Sequence, residues 1–259
     1  MEAETVLITG ASAGIGWELA KCFAADRSRL ILVARRRERL EQLAAELHEQ
    51  HGVEVRALPG DLSRPETPQA IFDQLAADGV AVDVLVNNAG FGAVGAVANL
   101  PLRQQSEMIQ VNVMALWELT RLFLPEMIRR GRGGVLNVGS TAAFQPGPYM
   151  AVYYATKAFV LSFTEALADE LAGAGLRVTC LCPGPTVTEF ARVARLEKAL
   201  LFRLAPMSGQ SVARAGYRGF RRGKPLVVPG LVNRLGTVAG RLAPRWLPRK
   251  VAKTLHWSE

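Results

Sequence analysis

The chain has 259 residues and a formal net charge of +8; 49% of its residues are hydrophobic and 21% charged, which suits one globular domain with a large core. Three cysteines (Cys22, Cys180, Cys182) with no C-x-x-C pair exclude a disulfide framework, and His48, His51 and His256 form no cluster with acids or thiols, so no metal is expected and a reducing cytoplasm is. No apolar run reaches the roughly 18 residues of a membrane-spanning helix, and no secretory leader is expected.

Thr5 to Thr9 reads as a buried strand ending at Gly10, with a helix from 14 to 25 behind it. A second strand, Arg29 to Ala34, precedes a charged helix over 36–50. Val53 to Leu58 is the third strand, and the Asp61-Leu62-Ser63 turn leads into another helix. Asp83 to Asn87 is the fourth strand, followed by a long helix over 104–130. Gly134 to Gly139, a helix over 150–173 and Leu176 to Leu181 complete the regular alternation. Beyond Gly184 the pattern weakens. Residues 188–222 look helical, Lys224 to Pro229 suits a short seventh strand, and Leu231, Leu235, Val238 and Leu242 fall at helical spacing. Apolar strands alternating with helices imply an α/β fold: a single-domain, Rossmann-like, doubly wound parallel sheet of about seven strands with helices on both faces. Ligands of such sheets bind beyond the strands' carboxyl ends, where Gly10, Asn87 to Gly90, Ser140 and Pro183-Gly184 all fall.

Residues 190–259 hold 15 Lys/Arg against 2 Asp/Glu, whereas the rest of the chain is net negative. Such a segment can meet nucleic acid, an anionic membrane surface or an acidic partner, or be a solvated surface. Without aromatic–basic alternation or zinc-finger spacing, nucleic acid is not expected, and the solvated surface is preferred to membrane contact.

The turn Thr9 to Gly16, spaced G-x-x-x-G-x-G, brings Gly10, Ser12, Ala13, Gly14, Ile15 and Gly16 to the start of a helix. Backbone N–H groups and the helix dipole there suit a pyrophosphate. The second strand ends Val33-Ala34-Arg35-Arg36, where a carboxylate would select the ribose hydroxyl of NAD. Arginines favour a 2′-phosphate instead, so the expected cofactor is NADP(H), with Arg35 the first contact and Arg36 next. Asp61 can accept from an adenine amino group or cap the following helix, with Leu62 beside it. Tyr153 and Lys157 stand four apart on one helix, so both project from one face. An ammonium held beside a phenol lowers its pKa from ~10 toward the range useful for proton transfer.

Together these residues resemble the short-chain dehydrogenase/reductase family over about residues 4–190. Thr9 to Gly16 matches its T-G-x-x-x-G-x-G, and Asn87-Asn88-Ala89-Gly90 its N-N-A-G. Asn112, Ser140, Tyr153 and Lys157 match its catalytic four, and Pro183-Gly184 with Val187 and Thr188 its nicotinamide-binding segment. The resemblance implies an oxidoreductase in which Tyr153 exchanges a proton with a carbonyl or alcohol and Lys157 lowers its pKa and holds the ribose. Ser140 would bind the substrate oxygen and Asn112 anchor a relay water. The expected organisation is a dinucleotide-binding and catalytic core over 1–187, lid helices and last strand over 188–230, and a basic extension over 231–259. Phe91, Phe144, Tyr149 and Phe190 are candidate substrate contacts in an apolar pocket, and a homodimer or homotetramer through the long helices is implied. The other class of reading is an NADPH-binding regulatory or scaffold protein on the same fold.

Overall fold

The computed structural model describes residues 3–189, 206–244, 249–250 and 252. Six strands arise where the apolar runs lie: β1 (Thr5–Thr9), β2 (Arg29–Ala34), β3 (Val55–Pro59), β4 (Val84–Asn87), β5 (Gly134–Val138) and β6 (Arg177–Leu181). The helices between them are α1 (Gly14–Ala25), α2 (Arg37–His51), α3 (Thr67–Ala77), α4 (Leu102–Ile109), α5 (Ala115–Arg130) and α6 (Ala151–Glu170). Two further two-residue strands, β7 (Thr186–Val187) and β8 (Met207–Ser208), pair with each other, and α7 (Gly209–Arg221), β9 (Leu226–Val227) and α8 (Leu231–Leu242) follow. The main sheet has seven parallel strands in the order β3-β2-β1-β4-β5-β6-β9.

Side chains alternate across this sheet and build a core on each face. Val6 and Ile8 of β1 pack with Leu19 and Phe23 of α1 and Val212 and Phe220 of α7. Leu7, between them in sequence, packs on the other face with Leu75 of α3 and Leu119, Phe123 and Met127 of α5. Removing each such side chain from water is worth about 1.5–3 kcal/mol, which makes the sheet a stiff platform. The chain steps outward from β1 to β2 and β3, then returns to β4 on β1's other side. That reversal opens a crevice beyond the carboxyl ends of β1 and β4.

The structure departs from the sequence reading in four places. The third strand starts at Val55 rather than Val53, because the Val53 carbonyl lies 3.0 Å from His48 Nδ1 and the ladder to Leu30 begins at the Glu54 carbonyl. The helix expected over 104–130 is α4 and α5 joined by a π-helical turn, Gln110–Met114. The seventh strand shrinks to Leu226–Val227 between Pro225 and Pro229, which lack the N–H a longer ladder needs. The β7–β8 pair gave no sequence signal. Of the lid helices expected over 188–230, residues 190–205, with the candidate contact Phe190, lie outside the described residues, which resume at Pro206.

Candidate active site

The turn after β1 is held by glycine at positions no other residue fits. Gly10 has φ +66°, and a Cβ there would stand 2.8 Å from Asn88 Nδ2. A Cβ on Gly16 would be 2.4 Å from the same nitrogen and 2.5 Å from the Gly10 carbonyl oxygen. Asn88 causes this crowding because it fastens the turn: its Nδ2 donates to the carbonyls of Thr9 at 2.9 Å and Gly10 at 3.2 Å. Thr9 Oγ1 in turn accepts from the N–H groups of Asn88 and Ala89, both at 3.0 Å. The N-cap of α1 is Ala13, extended and with no side-chain cap, and the first turn carries no acid. The leading amides of α1 therefore face the crevice uncapped, an arrangement that suits a phosphate.

Below this shelf a buried polar ladder fixes the strand ends. Asn87 Nδ2 donates to Asn137 Oδ1 at 2.9 Å and Thr120 Oγ1 at 3.1 Å, and Asn137 Nδ2 donates to Thr164 Oγ1 at 2.9 Å. Asn87 and Asn137 are register partners in β4 and β5, so the ladder ties the sheet to α5 and α6. Asn137 escaped the sequence reading; its one available signal was an amide inside an apolar strand.

The four catalytic candidates converge from three elements. Ser140 follows β5 in extended backbone and its Oγ accepts from the Ala142 N–H at 3.1 Å. Its side chain is also hydrogen-bonded to Tyr153, one turn before Lys157 on α6. Lys157 is buried and its Nζ donates to the Val138 carbonyl at 2.8 Å. Asn112 lies on the π turn, whose wider coil offers a reason for the side chain's reach. It donates through Nδ2 to the Phe91 carbonyl and to Thr156 Oγ1, both at 3.0 Å, and accepts from the Phe91 N–H at 3.1 Å. This amide clamps the loop after β4 against α6, a job that occupies its polar atoms apart from one lone pair. A Cβ on Gly90 would meet Asn112 Oδ1 at 3.0 Å and Lys157 Nζ at 3.4 Å, so the loop passes close between them.

The electrostatics correct one expectation. Lys157 does not hold the Tyr153 phenol below its ordinary value. Burial pushes that phenol up to about 12, with the Ser140 hydrogen bond acting the other way. Burial likewise pulls Lys157 down to about 8, opposed by the neighbouring sulfurs of Cys180 and Cys182. The cation lies 6.0 Å from the centre of the tyrosine ring and spends its hydrogen bond on a carbonyl. Desolvation of both groups outweighs their attraction.

A family model described as short chain dehydrogenase matches residues 4–199. The chain belongs to the short-chain dehydrogenase family. It is 39% identical to sulfoacetaldehyde reductase 2 of Chromohalobacter salexigens over 193 residues, covering 74% of this chain and 76% of that one. It is 34% identical to ketoacyl reductase HetN of Nostoc over 184 residues, 71% of this chain, and spans 64% of that relative's length. A solved short-chain dehydrogenase from Sphingobium yanoikuyae in complex with NADPH superposes with a TM-score of 0.82 at 35% identity, covering 92% of each chain.

In this short-chain dehydrogenase one cleft of about 300 Å³ joins the glycine turn to Tyr153. Gly10, Ser12, Ala13, Gly14 and Ile15 line its phosphate end with Arg35, while Asn88, Ala89 and Gly90 line its side. Ser140, Tyr153, Lys157, Pro183, Gly184 and Thr188 close the other end. Uncapped amides, glycine-only approaches and a length of cleft from arginine to tyrosine fit a nicotinamide dinucleotide.

Several expected contacts lie elsewhere. Arg36 turns back to Ser12, at 3.1 Å from Oγ and 3.2 Å from the carbonyl, and pairs with Glu189 at 2.9 Å. Asp61 Oδ1 accepts from Ser63 N and Oγ at 3.1 and 2.8 Å, so it closes its own turn rather than capping α3, whose N-cap is Glu66. Partial burial opposes its ionisation, but those bonds and the charges of Arg35 and Arg64 prevail and hold its carboxyl below the usual range. Leu62 is buried with Ile71 and Leu75, and Val187 is exposed on β7. Phe91 lines the cleft, but Phe144 packs on Leu116, Val160, Cys180 and Cys182 instead. Tyr149, in the left-handed region at φ +63°, borders a separate depression with Ala96 and Pro148. Tyr154 packs on Gly147 and also lines the cleft. Glu189 and Met150 line it as well.

Proposed function

We propose that this short-chain dehydrogenase is an NADP(H)-dependent carbonyl reductase for hydrophobic ketones or aldehydes. The observation that carries the reading is a buried phenol, protonated at neutral pH and hydrogen-bonded to Ser140, at the closed end of a dinucleotide-shaped cleft. A protonated phenol is the form that can give a proton to a carbonyl oxygen. NADPH supplies the hydride when bound. The amides at the start of α1 would hold its pyrophosphate, and Lys157 would hold its ribose hydroxyls. Ser140 Oγ orients the carbonyl oxygen, and the Tyr153 hydroxyl transfers its proton there as the carbonyl carbon is reduced. Phe91, Ala142, Met150 and Tyr154 supply apolar surface for the rest of the substrate.

Preference for the phosphorylated cofactor rests on Arg35, which lines the phosphate end of the cleft where an NAD site usually has an acid. Arg36, held by Ser12 and Glu189, supports the backbone of the same corner.

The test is turnover of a panel of ketones and aldehydes with NADPH and with NADH. NADPH is expected to be preferred. Tyr153→Phe is expected to lower turnover by about 10²–10⁴-fold while NADPH binding, followed by nucleotide fluorescence, is kept. Retained turnover in that variant removes Tyr153 as the acid, and a preference for NADH removes Arg35 as the selector.

A further inference from the structure

Helix α8 is amphipathic in the inverted sense. Its inward face is polar or small: Thr237 is buried, Asn233 donates to the Pro229 carbonyl at 2.8 Å, and Gly240 stands beside Gln145. Its outward face is a ridge of large aliphatic side chains. Leu231, Val232, Leu235, Val238 and Leu242 are 70, 72, 62, 56 and 82% exposed. At 100° per residue, all but Val232 fall in one narrow stripe. A helix that only covered the sheet would turn this stripe inward.

The charge around it is one-sided. Residues 231–258, the helix and the chain just beyond it, contain six Lys/Arg and no Asp or Glu. Arg234 on α8 and Arg249 and Lys250 just beyond it are exposed. A second copy of this face would oppose cation to cation, and an acidic peptide would leave the aliphatic ridge unmatched. An anionic lipid surface answers both features, taking the ridge into its acyl boundary and the arginines and lysines among its headgroups.

We infer that α8 is a docking face for anionic lipid membranes. The helix stands at the rim of the cleft, since a Cβ on Gly184 would meet Asn233 at 2.3 Å. Docking therefore brings the cleft mouth next to the lipid surface. The inference does not depend on which carbonyl is reduced.

Sedimentation of the full chain with vesicles tests it. Phosphatidylcholine vesicles containing phosphatidylglycerol are expected to carry the protein down, and pure phosphatidylcholine vesicles are not. Binding should weaken as salt is raised. Leu235→Glu/Val238→Glu is expected to lower the partition coefficient by about tenfold or more, with circular dichroism and thermal melting unchanged. Equal binding to both vesicle types overturns the inference, as does binding that survives the double substitution. Absence of vesicle binding overturns it too; if the substitution then splits an oligomer, the ridge is a subunit interface.

Discussion

Lys157 is the residue whose ionisation decides the pH behaviour of the site. Reduction requires the Tyr153 phenol protonated, and at about 12 it is protonated throughout the working range. Giving up that proton leaves a phenolate, which a nearby cation stabilises, and Lys157, pulled down to about 8 by burial, is cationic below that value and neutral above it. The reduction rate at saturating substrate is thus expected to be flat through neutral pH and to fall above pH ~8 in one ionisation. Lys157→Ala is expected to lose that step along with most of the rate. A rate–pH profile of each protein checks this; a wild-type rate that climbs through pH 8 to 9 would mean the ammonium is not needed in its charged form. Spacing along α6 disclosed that Tyr153 and Lys157 share a face. It could not disclose that both are desolvated, because the Val138 carbonyl and the thiols around Lys157 arrive from other strands.

At the scale of elements, the β1–α1 turn is the part least able to yield. Gly16 has two fixed neighbours, the Asn88 amide and the Gly10 carbonyl, both closer to a would-be Cβ than any real contact. Gly16→Ala is therefore expected to push α1 away from the turn, costing about 1–3 kcal/mol of stability. Calorimetry should show a melting temperature several degrees lower, at about 2–4 °C per kcal/mol for a chain of this size. NADPH affinity should fall with it, since the same shift moves the leading amides of α1; unchanged melting and unchanged affinity together would refute the packing argument. This turn was legible because glycine spacing encodes backbone shape directly. The π turn that carries Asn112 was not, since a helix of apolar and polar residues reads alike with i+4 or i+5 bonding. Phe144 and Arg36 were misplaced for a related reason. Each stands at the expected end of a strand, but its direction is set by partners far away in sequence: Cys180 and Cys182 for the first, Glu189 for the second.

At the scale of the whole molecule, α5 and α6 carry exposed apolar side chains distinct from the α8 ridge. Met114 and Trp117, around the start of α5, Ile128 farther along it, and Phe159 on α6 are exposed, and Phe159 stacks on Phe163 at 5.7 Å with planes 11° apart. The charges on α5 are mixed, Arg129 and Arg130 pairing with Glu126, so two copies of this face do not repel as two copies of α8 would. We propose that these exposed side chains of α5 and α6 form the contact of a two-fold homodimer, which needs about 800 Å² from each partner. Large aromatic side chains dominate such interfaces, and a buried unpaired carboxylate in their place is strongly unfavourable. Trp117→Asp/Phe159→Asp is accordingly expected to raise the dimer dissociation constant by about a hundredfold or more, seen as a shift to monomer in sedimentation velocity. Vesicle binding through α8 should survive in the monomer, because the two surfaces share no residue. A variant that sediments as the wild type does would put the subunit contact on another face.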